Sequence, residues 1–551
     1  MRKGAVGPTF AILSAFVLAA CQGVDEIGPG IPGIEIGTVE VDQPTLVSLG
    51  FNLPIISGDD NYNAVALVEY REQGVASWIP GLPFLRVRPE FANVAREESF
   101  AGSIFGLKEN TTYEVRISVV DADGGDTVQT LTVATRGLPK SVPAKPNIIN
   151  VSNASELTNA LARAAPGDVI TLRPGTYVGD FIVESGVNGT PGNPIFVRGS
   201  DRDAVILRGQ NGHGFQIHGS YFTLEDVTVE AGESGIGILA RDSEWTVIRR
   251  TRITDVDKGI LLTHGTNRNF TIYDNVLEGR NSWPVIDRST WGDEGIAVTG
   301  EGHAIFHNTL SGFGDALGLS RFSDIPNRSI DFYRNEVLWT GDDGIELDDG
   351  ERNVRAFENR VTNSATLISI QHNYDTGGPI FAFRNVGINQ ARMPFKLNDS
   401  PSGFYLLHNT SVKTLGADEW LWVQYNNGPV QNFHLKNNLL VSLAPRSRGV
   451  RFEAPISDAV FDYNGYHPFG RDRTYERHGV FLRRVPFEST ISLGPDYTSF
   501  ALPQNVILKT SSKAIDAGVR ILNINDGYSG DAPDLGAYER GAPIPRYGAR
   551  W

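Results

Sequence analysis

An apolar-x-Asn signature recurs along the second half of this chain, in "YDNVLEG", "FHNTLSG", "YRNEVLW", "FENRVTN", "FRNVGIN", "LHNTSVK" and "LKNNLLV". Its asparagines fall at 275, 308, 335, 359, 385, 409 and 437, in steps of 33, 27, 24, 26, 24 and 28. A period in the twenties with strand-like composition is the mark of a solenoid. No such repeat can bury its apolar face alone, so successive coils must stack. Stacking lets the asparagines bond one another and the turn backbone, so that each buried polar group has a partner. Tyr273, Phe306, Tyr333, Phe357 and Phe383 would form a second column beside them.

The remaining composition supports an all-β reading. Sixty glycines, many asparagines and two methionines belong to a protein of strands and turns. A net charge of −15 argues against nucleic acid as a partner. The one cysteine, Cys21, excludes a disulfide within the chain. It follows a basic start and a short apolar run, the pattern of a secretory signal over residues 1–20. "LAAC" (18–21) resembles the bacterial lipoprotein box, which implies lipidation at Cys21. Gln22 after the cysteine then implies an outer-membrane lipoprotein, touching the membrane only through its lipid. A monomer is expected.

Residues 21–35 are rich in Gly and Pro and read as a tether. About seven short alternating runs between 36 and 137 suggest an immunoglobulin-like sandwich. "GLKENTTYEVRI" (106–117) is similar to the fibronectin type III family, with Leu107 and Tyr113 in the places of its Leu and corner Tyr. A spacer role is expected for this domain. Residues 138–146 form a linker, 147–542 the solenoid and 543–551 a C-terminal tail. "ELTNALARAAPGDVITLRPGTYVGDFIV" (156–183) resembles the first helix and coil of the right-handed parallel β-helix, or pectate-lyase-like, superfamily. Its "PGD-x-I-x-L-x-x-GTY" wording is most like the alginate lyase/chondroitinase B family, and "SSKAIDAGV" and "PDLGAYE" resemble endings of bacterial β-helix proteins. That resemblance implies a right-handed parallel β-helix that cuts acidic or sulfated polysaccharides, although a fold alone assigns no activity.

One strand of each coil can be aligned by its two inward apolar residues, among them Ile236/Ile238, Ile260/Leu262, Leu317/Leu319, Ile345/Leu347, Phe395/Leu397, Leu421/Val423 and Val450/Phe452. With a period of two, the outward residues are then Gly318/Ser320, Glu346/Asp348, Ser369/Gln371, Lys396/Asn398, Trp422/Gln424 and Arg451/Glu453. A row floored by small residues and leading to carboxylates, Lys396, Trp422 and Arg451 suits an extended sugar chain.

"GDDGIELDDG" (341–350) packs five carboxylates into this row. Two residues apart on one strand, Glu346 and Asp348 have Cα atoms about 6.6 Å apart, within the ~6.5–9.5 Å range of an inverting acid/base pair. Glu346 is the expected acid and Asp348 the base, a pairing similar to that of the iota-carrageenases. The alternative reaction is β-elimination on a uronic acid, with Lys396, two coils on at about 9.6 Å, as base. No cofactor is demanded outright; Ca²⁺ is the ion elimination would bring in, with Asp342 and Asp343 as metal ligands. An EF-hand is excluded by the ligand spacing. "GDD" and "GHG" (212–214) stand in the wrong order for a polygalacturonase. Trp291, Arg321 and His372 sit in loops expected beside the same face and complete the substrate-binding set. The competing class is a non-catalytic surface protein that binds glycans.

Overall fold

The computed structural model describes residues 33–92, 97–319, 326–371, 377–417, 420–424, 428–444, 448–453, 455–468 and 476–551. Two antiparallel sheets between Glu35 and Ala134 face each other across a core of Leu49, Phe51, Val68, Phe100, Val115 and Ile117. The corner Tyr113 is buried, and its hydroxyl accepts from Lys108 N at 2.9 Å beside buried Leu107. An immunoglobulin-like sandwich is compatible with this architecture.

From Asn147 onward the chain winds into three parallel sheets. Sheet 1 runs from Asn147–Val151 to Ile456–Asp462 and sheet 2 from Gly175–Val178 to Val480–Phe481, each with 13 strands; sheet 3 has nine, from Ile182–Val183 to Phe395–Asn398. A pair of strands, Trp420–Gln424 and Arg448–Phe452, follows on the sheet 3 side. This is a right-handed parallel β-helix. Its open N-terminal end is covered by the helix Ala154–Leu161, which buries Leu157 and Leu161. Asn153 Oδ1 accepts from Glu156 N, and Glu156 Oε2 accepts from Ser152 N, a reciprocal cap that fixes where this helix begins.

The asparagine ladder is continuous. Above Asn275, whose Oδ1 accepts from Thr251 N and Oγ1, each of Asn308, Asn335, Asn359, Asn385 and Asn409 uses Oδ1 to accept from the backbone N and Nδ2 of the preceding member. Its Nδ2 also donates to a carbonyl of the preceding coil, such as Ile305 O from Asn335 at 3.0 Å. Each follows a residue in the left-handed region, including Arg334 (φ 55°) and Glu358 (φ 52°), so the ladder marks a sharp corner. In "LKNNLLV" the ladder member is Asn438, not the expected Asn437, and Asn464 extends the run. Asn437 takes the left-handed position (φ 61°) and bonds Val519 instead.

The aromatic column also forms: Tyr273, Phe306, Tyr333, Phe357 and Phe383 stack at 4.8–5.1 Å between centroids. It lies on the outer surface of sheet 1. Leu46, Leu85 and Phe105 of the sandwich cover it together with Ile521 and Ile524. Asp42 accepts from Arg352 and Asn353 at 2.9 and 2.7 Å, and Arg355, fully buried, donates to Ser103 Oγ at 2.9 Å. The sandwich is therefore docked along the solenoid. The last regular strand ends at Phe481, and the remaining chain packs back over the coils. Its end, expected to be a tail, is pinned by Arg550 on Asp274 at 2.7 Å and by Trp551 Nε1 on Asp274 O.

Asn335→Ala removes one rung, leaving buried Asn308 N without its acceptor and Ile305 O and Asn359 Oδ1 without the Nδ2 donor, where each unpaired buried group costs about 1–3 kcal/mol. A loss of about 3 kcal/mol in the solenoid's unfolding free energy is expected, read from the denaturant midpoint; an unchanged midpoint would remove the ladder's structural role.

Candidate active site

The strand register of sheet 3 decides which side chains meet. Ile260, Ile296, Leu317, Ile345, Ile368 and Phe395 form one inward file. The earlier coil enters it through Ile238, not Ile236, because the register is set by glycines at the corner. A Cβ on Gly259 would come within 2.4 Å of Gly295 O, and one on Gly237 within 2.8 Å of Gly259 O. Outward, Gly318, Glu346, Ser369 and Lys396 are in register on four successive coils. Gly318 leaves room for Glu346, whose Oε2 lies 3.3 Å from where a Cβ would stand.

The acidic corner sits just before these strands. Gly341 N and Asp342 N donate to Phe313 O and Gly314 O, both at 2.8 Å, so this corner stacks on the one before it. Asp343 N donates to Asp315 Oδ1 at 3.0 Å. Asp315, Asp342 and Asp343 then bring carboxylate oxygens within 4.8 Å of one another. Lys396 reaches back two coils, placing Nζ 2.6 Å from Asp343 Oδ2 and 4.0 Å from Asp342 Oδ2. A groove of about 620 Å³ is lined by Asp315, Asp342, Glu346, Asp348 and Lys396, with Trp291 and Arg392 at its walls.

Five carboxylates thus face Lys396 and Arg392. Burial pushes the Asp342 carboxyl up to about 7, and Asp343 beside it adds to the shift. Asp315 is raised well above the usual range by burial and then by Asp343 and Asp342. Glu346 is raised by burial and then by Asp315 and Asp348. Asp348 rises to about 6, burial outweighing the opposing field of Lys396. For Lys396, burial works against the charge, but Asp343, Asp342 and Asp348 overcome it and hold the ammonium above its ordinary value.

Several expectations change. Asp348 lies beyond the strand Asp343–Glu346 and is 5% exposed, so it is no free partner to Glu346. Its oxygens accept from Ser369 Oγ, Gln371 N and Gln371 Nε2 at 2.9, 2.8 and 2.6 Å, which fixes the coil exit. Lys396 is an ion-paired ammonium here, not a free amine. Trp422 is paired in backbone register with Val450, and its side chain lies outside the described residues. Arg451 pairs with Glu453 at 2.9 Å and does not line the groove. Arg321, His372 and Cys21 lie outside the described residues. Trp291, 53% exposed, stands at the groove as expected.

Asp315, an acid before a strand of the kind ordinary turn chemistry explains, completes the cluster. The acids of earlier corners show what separates them. Asp257 is paired with Arg280 at 3.0 Å, and Asp293 accepts from Asn281 at 3.0 Å. Among the described residues no arginine forms an ion pair with Asp315 or Asp342, and the sequence alone does not reveal that difference.

The cluster fits a divalent cation. Its donors are hard carboxylate oxygens, the type Ca²⁺ prefers. Asp343 Oδ1 is buried without a hydrogen-bond partner among the described residues. The raised carboxyls express the cost of crowding negative charge out of water.

With this geometry in place, the fold defines the class: the chain is a right-handed parallel β-helix protein, and known proteins similar to it share that fold's description. The profile of the family described as "Right handed beta helix region" matches residues 213–389. Pectate lyase L of Dickeya chrysanthemi is 24% identical over 415 residues, covering 70% of this chain and 85% of the relative. Pectate lyase L of Dickeya dadantii (strain 3937) is 23% identical, covering 69% and 84%. Among solved structures, an alginate lyase from Paenibacillus sp. str. FPU-7 aligns with a TM-score of 0.30 at 16% identity, covering 56% of this chain and 99% of that one.

A carboxyl whose folded pKa is raised stabilises the fold below its unfolded pKa and loses that contribution as pH rises through the folded value. For Asp342 the window runs from its ordinary 3.8 to about 7. Metal-free Asp342→Asn should therefore gain melting temperature relative to wild type as pH rises from about 4 to 8, and added Ca²⁺ should stabilise wild type more than the variant. A pH-independent difference by scanning fluorimetry would contradict the crowded-carboxylate account.

Proposed function

We propose that this chain is a polysaccharide lyase that cleaves an acidic, uronate-bearing glycan in the sheet 3 groove by β-elimination. The observation that carries this reading is the juxtaposition of the Asp315–Asp342–Asp343 cluster with Lys396 on one wall of an open groove. The names of the pectate lyase relatives point to the same chemistry and make polygalacturonate the first substrate to test.

In elimination a base takes the proton α to the uronate carboxylate, that electron pair forms a C=C bond, and the bond to the 4-oxygen breaks. A cation held by Asp315, Asp342 and Asp343 would neutralise the substrate carboxylate and acidify the proton beside it. Lys396 is the base of this reading. Its proton is held by Asp343 and Asp342, so neutralising those carboxylates is what frees the amine to accept one. Arg392, at the groove wall, supplies a guanidinium for a second uronate. Glu346, kept protonated by burial and by Asp315, is positioned to return a proton to the departing oxygen.

A second reading, hydrolysis, rests on the same groove. Glu346, raised by burial and then by Asp315 and Asp348, is its acid. On polygalacturonate and alginate, elimination yields products absorbing near 230 nm, and Lys396→Ala and Asp343→Asn each lower that rate at least 100-fold. New reducing ends without the absorbance would replace elimination by hydrolysis.

The reading extends to location. The "LAAC" box supports an outer-membrane lipoprotein anchored at Cys21. Labelled palmitate should enter the wild type and not Cys21→Ala; equal labelling would reject the anchor.

A further inference from the structure

A second cavity, about 560 Å³, opens where the sandwich, the linker and the early coils meet. One wall is aromatic: Tyr221 and Trp245, one coil apart, lie 6.1 Å between centroids with their planes within 7°. Trp245 is 39% exposed, unusual for a large ring at a domain junction. Arg136 enters from the sandwich side with its guanidinium 5.7 Å from the centre of the Trp245 ring. Its Nη atoms donate to Asn269 O and Gly302 O at 2.9 and 2.6 Å, so carbonyls hold it in place without cancelling its charge. Two polar atoms at this wall, Arg136 Nε and Asn269 Oδ1, are buried with no hydrogen-bond partner among the described residues. Lys140 and Arg136 against Glu109 leave the lining net positive, in a chain of net charge −15.

A flat aromatic wall complements the apolar face of a pyranose ring, and a guanidinium beside it complements a carboxylate. We propose that this junction is a second binding site, for a uronate unit of an acidic glycan, built jointly by the sandwich and the solenoid. The ligand class rests on the function proposed above; the site does not, because the catalytic groove lies on sheet 3 and this cavity borders the sheet 1 strands Phe222–Glu225, Val247–Arg249 and Thr271–Tyr273. Its role is to hold a polymer on the protein while another stretch of it is cut. Loss of the site should raise KM for long chains and leave short oligosaccharides unaffected.

The test is a titration of the full, metal-free chain carrying 5-fluorotryptophan, followed by ¹⁹F NMR, with the Trp245 signal assigned by its loss in Trp245→Phe. Trigalacturonate, an alginate trimer and neutral cellotriose are the probes. A charged trimer should shift the Trp245 resonance, and Arg136→Gln should weaken that binding at least fivefold. Lys140→Glu, a change at an exposed linker position, should weaken it too and guards against misfolding of the Arg136 variant. A Trp245 resonance that ignores both charged trimers, or that answers cellotriose equally and is insensitive to both charge variants, overturns the proposal. If the resonance responds but no uronate is eliminated, the site stands and the lyase reading falls; elimination with a silent Trp245 has the opposite meaning.

Discussion

The buried amide-to-amide bonding of the asparagine ladder is the constraint on which the rest of the molecule depends. Each rung spends both polar ends of one side chain on its neighbours, so a coil can neither slip nor rotate without leaving buried donors unpaired. Parallel pairing then holds adjacent coils one strand spacing apart, about 4.8 Å. At that spacing a lysine two coils away can touch an aspartate, as Lys396 touches Asp343. A shift of one residue in any coil between them would turn the lysine into the core.

The site exploits this rigidity by concentrating charge that a softer scaffold would disperse. Asp315 comes from one coil, Asp342, Asp343 and Glu346 from the next, and Lys396 from two coils beyond. Other buried acids of the solenoid are neutralised by arginines, as where Arg355 meets Asp331 and Arg360 meets Glu336. The excess at 315–348 is local, and the stiff neighbouring coils are what sustain it.

Much of this was legible in the sequence because the ladder asparagines and stacked rings recur by residue type. The errors came where type alone is ambiguous. "NN" at 437–438 offers two candidates, and only the left-handed corner selects Asn438. Ile236 and Ile238 are equally good core residues, and glycine contacts between coils decide between them. Asp315 carries no mark in the sequence because an acid before a strand is common, and its meaning lies in the carboxylates gathered around it. The role of Asp348 depended on the strand ending at Glu346, a boundary that alternation of apolar residues does not mark.

The column of rings on sheet 1 has one more implication. Chain from before the coils, Phe105, and chain from after them, Ile521 and Ile524, close over the same rings. The middle coils thus have an apolar outside as well as an apolar inside, and during synthesis the outer layer is left waiting until residues near 520 emerge. Until then a partly made chain would present stacked phenylalanines and tyrosines to the surrounding medium, a sticky intermediate on the way to the finished fold.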